Sequence, residues 1–260
     1  MDSPFIPYLE IPHHWGLEAG DTVLLSSDIS GLVYGSLLHG QRFDVNAFLD
    51  EVLDILGPDG TLMLPTYNWD FCSGKTFDYR ESPCKTGVLG SAALRRDDFV
   101  RTRHPIYSFA VKGRHCGLLA GLDNQASFGQ DSPFAFMEMI KAKNVGIGVD
   151  LTHFFTFVHY VEQQCGVSNY RYPKNFTAGY IDADGVESTR TYSMLVRDLD
   201  GYLGTDFSGI EEAFLQGGVM RVLELNEIEF RIVDMFRCAP IIREDIRHNA
   251  SRKLCKHIWQ

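Results

Sequence analysis

The sequence predicts an α/β fold: a mixed, mostly parallel central sheet flanked by helices, with an antiparallel β elaboration in the C-terminal third. Three observations point there. Residues 22–65 read as strand, loop, amphipathic helix and strand, the unit that joins two parallel strands through a crossover. The apolar run Val145 to Val149 passes directly into a helical segment, Thr152 to Gln164, repeating the strand-then-helix order. Asp184-Gly185 lies between two strand-like runs, Phe176 to Ile181 and Glu187 to Leu195, which marks a hairpin. No internal repeat or low-complexity linker divides the chain, so residues 1–260 are expected to form one domain, with a core at about 20–175 and an antiparallel extension at about 176–235.

The elements follow in order. Residues 1–20 hold three prolines and a Gly-Asp turn, an arm or short helix before the first strand, Thr22 to Ser26. The small polar residues and glycines of SSDISGLVYG predict a loop whose backbone N–H groups can turn toward an anion. Phe43 to Leu56 is an amphipathic helix, with Phe43, Ala47, Phe48, Val52, Leu53 and Leu56 on one side; Gly57-Pro58-Asp59-Gly60 ends it and Thr61 to Pro65 is the second strand. The long aromatic and polar segment that follows has no period, and such a segment directly after a sheet strand is more often functional than filler. Thr66, Tyr67, Trp69, Asp70, Asp78 and Ser82 are its candidate ligand contacts; the alternative is that the aromatics cover a sheet edge.

Gly87 to Arg96 is a helix and Ile106 to Val111 a strand, preceded by His104, which Pro105 holds extended with its ring available to a pocket. Residues 115–123 are helical, and Ser132-Pro133 starts another helix with a Ser cap and Pro at the first position. Asn169 to Lys174 (NYRYPK) mixes aromatics and cations, as at the rim of a site for a phosphorylated or ring-bearing substrate. Gly209 to Gln216 is a short helix and Val219 to Leu225 a strand, and the stretch from Glu227 through RIVDMF reads as one helix, a break at Pro240 and a tail.

Composition narrows the function class. With 45% hydrophobic and 22% charged residues the chain is a soluble globular protein, and its net charge of -10 argues against nucleic acid or an anionic membrane as main partner. Cys72, Cys84, Cys116, Cys165, Cys238 and Cys255 form no CxxC pair, so reduced thiols are expected, and neither a leader nor a membrane span is apparent: a cytoplasmic protein is expected. The richest chemistry sits in THFFTFVHYVEQQ. Thr152 or Thr156 could cap this helix, while Thr156, His159 and Glu162 recur at intervals of three on one face, so the imidazole can touch the carboxylate. A general base needs that pairing, because the carboxylate orients the ring, fixes its tautomer and favours its protonated form. The alternative is a core helix with an incidental His and Glu. A zinc site of His153, His159 and Glu162 departs from HExxH, since Tyr160 follows His159, and no metal is expected.

Several stretches taken together resemble the antibiotic N-acetyltransferase family, the aminoglycoside 3-N-acetyltransferase type that is unrelated to the GNAT fold: LLSSDISGL, GPDGTLMLPTYNWDF, SP followed by GVLGSAALRR, RHPIYSFAVKG, FGQDSPF, and TFVHYVEQ before YRY. They cover roughly residues 20–175 in order. The resemblance implies an acyl-CoA co-substrate, acetyl-CoA or another short acyl-CoA, and an amine acceptor. It places pantetheine along the first loop (Ser26, Ser27, Asp28, Ser30, Gly31), the PT segment (Thr66, Tyr67) and the HP segment (His104, Ser108, Phe109), and it puts His159 and Glu162 in the active site. NWDFCSGKTFDYRESP and VHYVEQQCGVSNYRYPKNF are similar to members of surface-polysaccharide (lipopolysaccharide O-antigen) synthesis, which acylate an amino sugar carried on a nucleoside diphosphate. On that reading Trp69, Asp70, Asp78, Ser82, Thr156, Tyr170, Arg171 and Tyr172 contact the acceptor. His159 would accept the proton of the attacking amine, and Thr66 or a backbone N–H near Ser27 would donate to the oxyanion. An aminoglycoside acceptor, conferring antibiotic resistance, is the alternative, followed by a non-catalytic CoA or nucleotide-sugar binding protein. Homo-oligomer formation is left open.

Overall fold

A computed structural model describes residues 4–167, 170–198 and 203–257. The first strand, β1 (Thr22–Ser27), alternates its side chains between two cores: Leu24 belongs to one, Val23 and Leu25 to the other. The stretch expected as a loop is instead a helix, α1 (Ser30–Leu38). Its cap position, Ile29, has no side-chain bond to offer, and the Asp28 carboxylate before it accepts the Ser30 N–H at 2.9 Å. The outer side leaves Val33, Tyr34, Leu37 and Leu38 exposed. In α2 (Val45–Leu56), Asp44 is the cap and accepts from the N–H groups of Asn46 and Ala47, while Phe48, Leu49, Val52 and Leu56 are buried. The chain returns in β2 (Thr61–Pro65), parallel to β1 with Thr22 opposite Thr61.

Next come β3 (Phe77–Asp78), α3 (Val88–Ala93), β4 (Val100–Arg101), β5 (Phe109–Gly113) and α4 (Cys116–Gly121). The strand expected from Ile106 begins only at Phe109, because the N–H groups of Ile106 and Tyr107 are taken by the His104 ring at 3.2 and 3.1 Å. Ser132 caps α5 (Pro133–Met139), with Pro133 in its first turn. The next strand, β6 (Lys143–Ile147), starts before its apolar run: Asn144 is fully buried and donates to the Leu24 carbonyl at 2.8 Å. Two short helices, α6 (Leu151–Phe154) and α7 (Phe157–Gln164), replace the single helix expected there.

The C-terminal third opens with the hairpin of β7 (Arg171–Ile181) and β8 (Glu187–Arg197), turned through Gly185. Then follow β9 (Leu203–Thr205), α8 (Ser208–Gln216), β10 (Met220–Leu225), β11 (Ile228–Asp234), α9 (Met235–His248) and β12 (Cys255–His257). Here the sequence reading is corrected: Ile228–Asp234 is a strand, joined to β10 through Asn226 and Glu227, both at positive φ as a two-residue hairpin turn requires. Pro240 lies inside α9 and does not end it. Ile258 and Trp259 of the expected tail lie outside the described residues.

The central sheet has the order β10-β11-β6-β1-β2-β5-β4. Its pairings make β10, β6, β1, β2 and β4 run one way and β11 and β5 the other, which is the expected mixed, mostly parallel α/β sheet. β7 and β8 join β3 in a second sheet, and β9 pairs with β12. Strand β1 is flanked on both sides by parallel neighbours, so the connections from its end and from the end of β6 part in opposite directions, and a crevice opens there. Among the described residues no helix is long and apolar enough to cross a membrane.

Gly90 lets α3 lie against the end of β2: a Cβ there would fall onto the Pro65 carbonyl and 3.0 Å from the Cys84 sulfur. Gly90→Ala is expected to cost about 1–3 kcal/mol through overpacking, measured by denaturant unfolding.

Candidate active site

The crevice is tied shut at its base. Asp28 N–H donates to the Ile147 carbonyl at 2.8 Å, and Gly148, at φ 62, leaves room only for that loop, since a Cβ would lie 2.8 Å from the Asp28 oxygen. Asp150 then caps α6 and holds the His153 ring at 2.7 Å, an exposed pair turned to solvent. After Phe155 the chain steps out of helix geometry and restarts at Thr156, whose side chain makes no cap bond, contrary to expectation; Asp150 is the cap that forms.

On α7, His159 Nδ1 lies 2.6 Å from Glu162 Oε2. Glu162 is fully buried and its charge is answered from three sides: Tyr170 donates its hydroxyl to Oε1 at 2.7 Å, and Arg171 Nε lies 3.0 Å from Oε2, off the line of a hydrogen bond and hence a Coulombic contact. Arg171 also donates to the Thr205 hydroxyl at 3.0 Å. Burial alone would raise the Glu162 pKa; the His159 ring, Arg171 and Tyr170 outweigh it and hold the carboxyl below its usual value. For His159, burial and then the Arg171 charge push the pKa down more strongly than Glu162 pulls it up. The expectation that the carboxylate favours the protonated ring is therefore reversed in sum. The ring is neutral at neutral pH, with Nδ1–H on Glu162 and the basic lone pair on Nε2. Phe128 and Phe207 flank it, with centroids at 5.7 and 6.4 Å.

Other expected contacts are placed differently. Tyr170 and Arg171 were read as a substrate rim, but both turn inward to Glu162, because a buried charge draws its partners in; Tyr172 alone of the three is exposed, and Asn169 lies outside the described residues. Thr66, Ser108 and Phe109 are fully buried, so they do not present themselves to a pantetheine. The Thr66 hydroxyl is bonded to Ser108 Oγ at 2.8 Å, and Ser108 in turn donates to the Thr66 carbonyl, leaving Thr66 no free donor for an oxyanion. His104 is no pocket lining either: Nδ1 accepts two backbone N–H groups, Nε2 faces Ser127 Oγ at 3.2 Å, and burial lowers its pKa to about 3. Asp78 and Ser82 bond within their own turn. Tyr67 is buried, its hydroxyl against the Thr156 side chain without a well-formed hydrogen bond. Asp70 binds Lys85 at 2.7 Å and Lys75 at 3.3 Å, and Trp69 is 41% exposed.

The first loop does border open space. Ser27, Asp28 and Ser30 line a groove of about 850 Å³ with Tyr34, Thr86 and Gly87. Gly31 lies with Asp28 on the other side, in a cavity of about 420 Å³ that also takes in Asp150, Glu229 and Arg231; Ser26 is buried behind them. Neither space is lined by His159.

The residue missed by sequence reasoning is Arg101. Buried at the edge of the sheet, it donates to the carbonyls of Ser82, Tyr79 and Thr66 and to Ser108 Oγ, and lies 4.7 Å over the Phe77 ring. It clamps the long segment after β2 to the sheet; nothing in RTRH distinguishes it from its neighbours. Among the described residues no group of three or more His, Cys, Asp or Glu is arranged to hold a metal.

Residues 34–245 match the family model described as aminoglycoside 3-N-acetyltransferase. The chain belongs to this family. Solved structures with the same fold include aminoglycoside acetyltransferase AAC(3)-Xa (TM-score 0.75, 21% identity, 93% of this chain and 92% of that one). They also include the YokD protein from Bacillus subtilis (TM-score 0.75, 18% identity, 96% of both chains). AAC-IIIb in a binary complex with CoASH is a third (TM-score 0.76, 18% identity, 95% of this chain and 98% of that one). A search of curated protein sequences gives no match. By its family this member is an N-acetyltransferase, and the neighbour AAC-IIIb is bound to CoASH.

If His159 is the base of this N-acetyltransferase, it works when neutral, so kcat/KM should hold as pH falls through 6.5 and drop only through the lowered pKa of the folded protein. Removing the Arg171 charge in Arg171→Met should move this acid limb to higher pH; an unmoved limb in the pH–rate profile would contradict the assignment.

Proposed function

We propose that the enzyme transfers an acetyl or similar short acyl group from acyl-CoA to the amine of a nucleotide-linked amino-deoxy sugar, with His159 as general base oriented by Glu162. The observation that carries this reading is the state of the charges. Glu162 is neutralised by His159, Arg171 and Tyr170, and Asp70 by Lys75 and Lys85, so the carboxylates of the base and of the segment beside Trp69 are already committed. A polycationic acceptor gains little from such a surface, whereas an aromatic, anionic one meets cations and rings.

The neutral sugar amine attacks the thioester carbonyl, forming the C–N bond and a tetrahedral oxyanion. As the C–S bond breaks, the electron pair leaves with the CoA thiolate and His159 Nε2 takes the ammonium proton, its imidazolium held by Glu162. The groove beside Ser27, Ser30 and Thr86 is of a size to take the pantetheine. Thr156, half-buried one turn before His159, faces the same side and is assigned to the acceptor. Nucleotide-linked amino sugars of this kind are building blocks of surface polysaccharides such as O-antigen, which is the role this reading gives the enzyme.

A second reading, an aminoglycoside acceptor, is favoured by the family description and by the acidic lining of the smaller cavity, where Asp28, Asp150, Glu227 and Glu229 face a single Arg231. CoA release from acetyl-CoA, measured against nucleoside-diphosphate amino sugars and aminoglycosides, separates the two: turnover confined to the first panel is expected, and turnover confined to the second reverses the assignment. His159→Ala should lower turnover roughly 10²-fold or more. A drop of only a few-fold would mean that the amine arrives neutral and that positioning does the work.

A further inference from the structure

We propose that Trp69, Lys75 and Lys85 form a subsite for a nucleoside diphosphate, with the indole stacked on the base and the two ammonium groups facing the phosphates, and that the nucleotide is the one carried by the acceptor. The inference rests on the nucleotide-linked reading of the substrate and gives the nucleotide a place.

Trp69 is held rigidly for an exposed residue. It begins a 3-10 turn (Trp69–Ser73) whose cap is the buried Asn68 side chain, which accepts the Asp70 N–H at 2.9 Å and donates to the Pro83 carbonyl at 2.9 Å. The indole meets Tyr67 and Tyr107 edge-on, both centroids at 6.3 Å, and those rings are buried, so one side of Trp69 is braced and the remainder is open. A braced, open ring is what base stacking uses, since the side chain is already ordered before the ligand arrives. The adjacent residue, Asp70, gathers Lys75 and Lys85, whose side chains remain 67% and 41% exposed. Two cations on one carboxylate leave a positive spot on a chain whose net charge is -10. The spot therefore serves an anion locally and is not part of a general basic surface.

A chain of ring contacts sets an upper bound on the distance to His159. Three ring contacts separate Trp69 from His159: Trp69 to Tyr107 at 6.3 Å, Tyr107 to Phe128 at 5.0 Å and Phe128 to His159 at 5.7 Å. Tyr107 and Phe128 are buried, so this path runs through the core; the sugar diphosphate is placed over these rings, with the sugar amine toward the imidazole and the base at the indole. CoA also carries a nucleoside diphosphate. The subsite is assigned to the acceptor because the groove beside Ser27, Ser30 and Thr86 offers CoA a separate place.

Trp69→Leu and the double variant Lys75→Gln, Lys85→Gln change exposed side chains, and their thermal unfolding should match the unmodified enzyme. Trp69→Leu is expected to raise KM for a nucleotide-linked amino sugar roughly ten-fold or more and to leave KM for acetyl-CoA in place. The lysine variant should raise the same KM and weaken its dependence on salt. UDP, dTDP and GDP, titrated without acyl-CoA, should quench tryptophan fluorescence in the unmodified enzyme and not in Trp69→Leu. A rise in KM for acetyl-CoA alone would hand the subsite to CoA and overturn the proposal, as would unchanged KM values for both substrates. Binding of the diphosphates through Trp69 without turnover of any nucleotide sugar would sustain the subsite and refute the proposed reaction. Turnover indifferent to Trp69 would do the opposite.

Discussion

A carboxylate cut off from water persists only where the protein itself answers its charge, and Glu162 is answered by a ring from its own helix and by two side chains, Tyr170 and Arg171, at the root of the hairpin that follows it. Much of the architecture follows from meeting that demand. Tyr170 and Arg171 must sit against α7, which fixes where β7 begins, and Arg171 extends the tie to Thr205 in β9. From there β7 runs outward and takes up β3 as a parallel partner, with Phe77 opposite Tyr180. His159 and the irregular segment after β2 are thus joined through a single hairpin, although 89 residues lie between Trp69 and His159 in the chain.

The same arrangement sets the direction in which His159 titrates. An imidazole paired with a carboxylate in water gains basicity; here the carboxylate is buried, the ring keeps only 17% of its side chain exposed, and a guanidinium stands beside them. Desolvation and the second cation prevail, so Glu162 supplies orientation and a tautomer while the ring keeps its lone pair. Sequence spacing shows the pair but not this balance, which depends on residues eight and nine positions beyond Glu162 and on how deeply the helix is buried.

What was legible in the sequence was what neighbouring residues decide among themselves: the β1–α2–β2 unit, the Ser132-Pro133 helix start, the Asp184-Gly185 turn, and the three-residue interval of His159 and Glu162. Errors arose where a partner from elsewhere takes over. NYRYPK reads as surface until a buried charge claims Tyr170 and Arg171, and His104 reads as free until the two N–H groups that follow it fold back onto its ring. The glycines of α1 suggested a loop, yet Gly31 keeps α1 close to Ile228, from which a Cβ would lie only 3.1 Å. For β11 the signal was present: Ile228, Phe230 and Ile232 alternate after Asn226-Glu227, and the helix-forming residues that follow concealed it.

The clamp made by Arg101 carries one more consequence. Its hydrogen bonds end on carbonyl and hydroxyl oxygens, none of which gains or loses a proton over the ordinary range. His159 can therefore gain a proton in acid without unfastening the segment that bears Trp69. Burial lowers the Arg101 guanidinium pKa to about 10, and the oxygens around it keep its charge in place. The segment that bears Trp69 is thus held by a group whose charge and partners are indifferent to pH, and its attachment is set apart from the proton on the His159 ring.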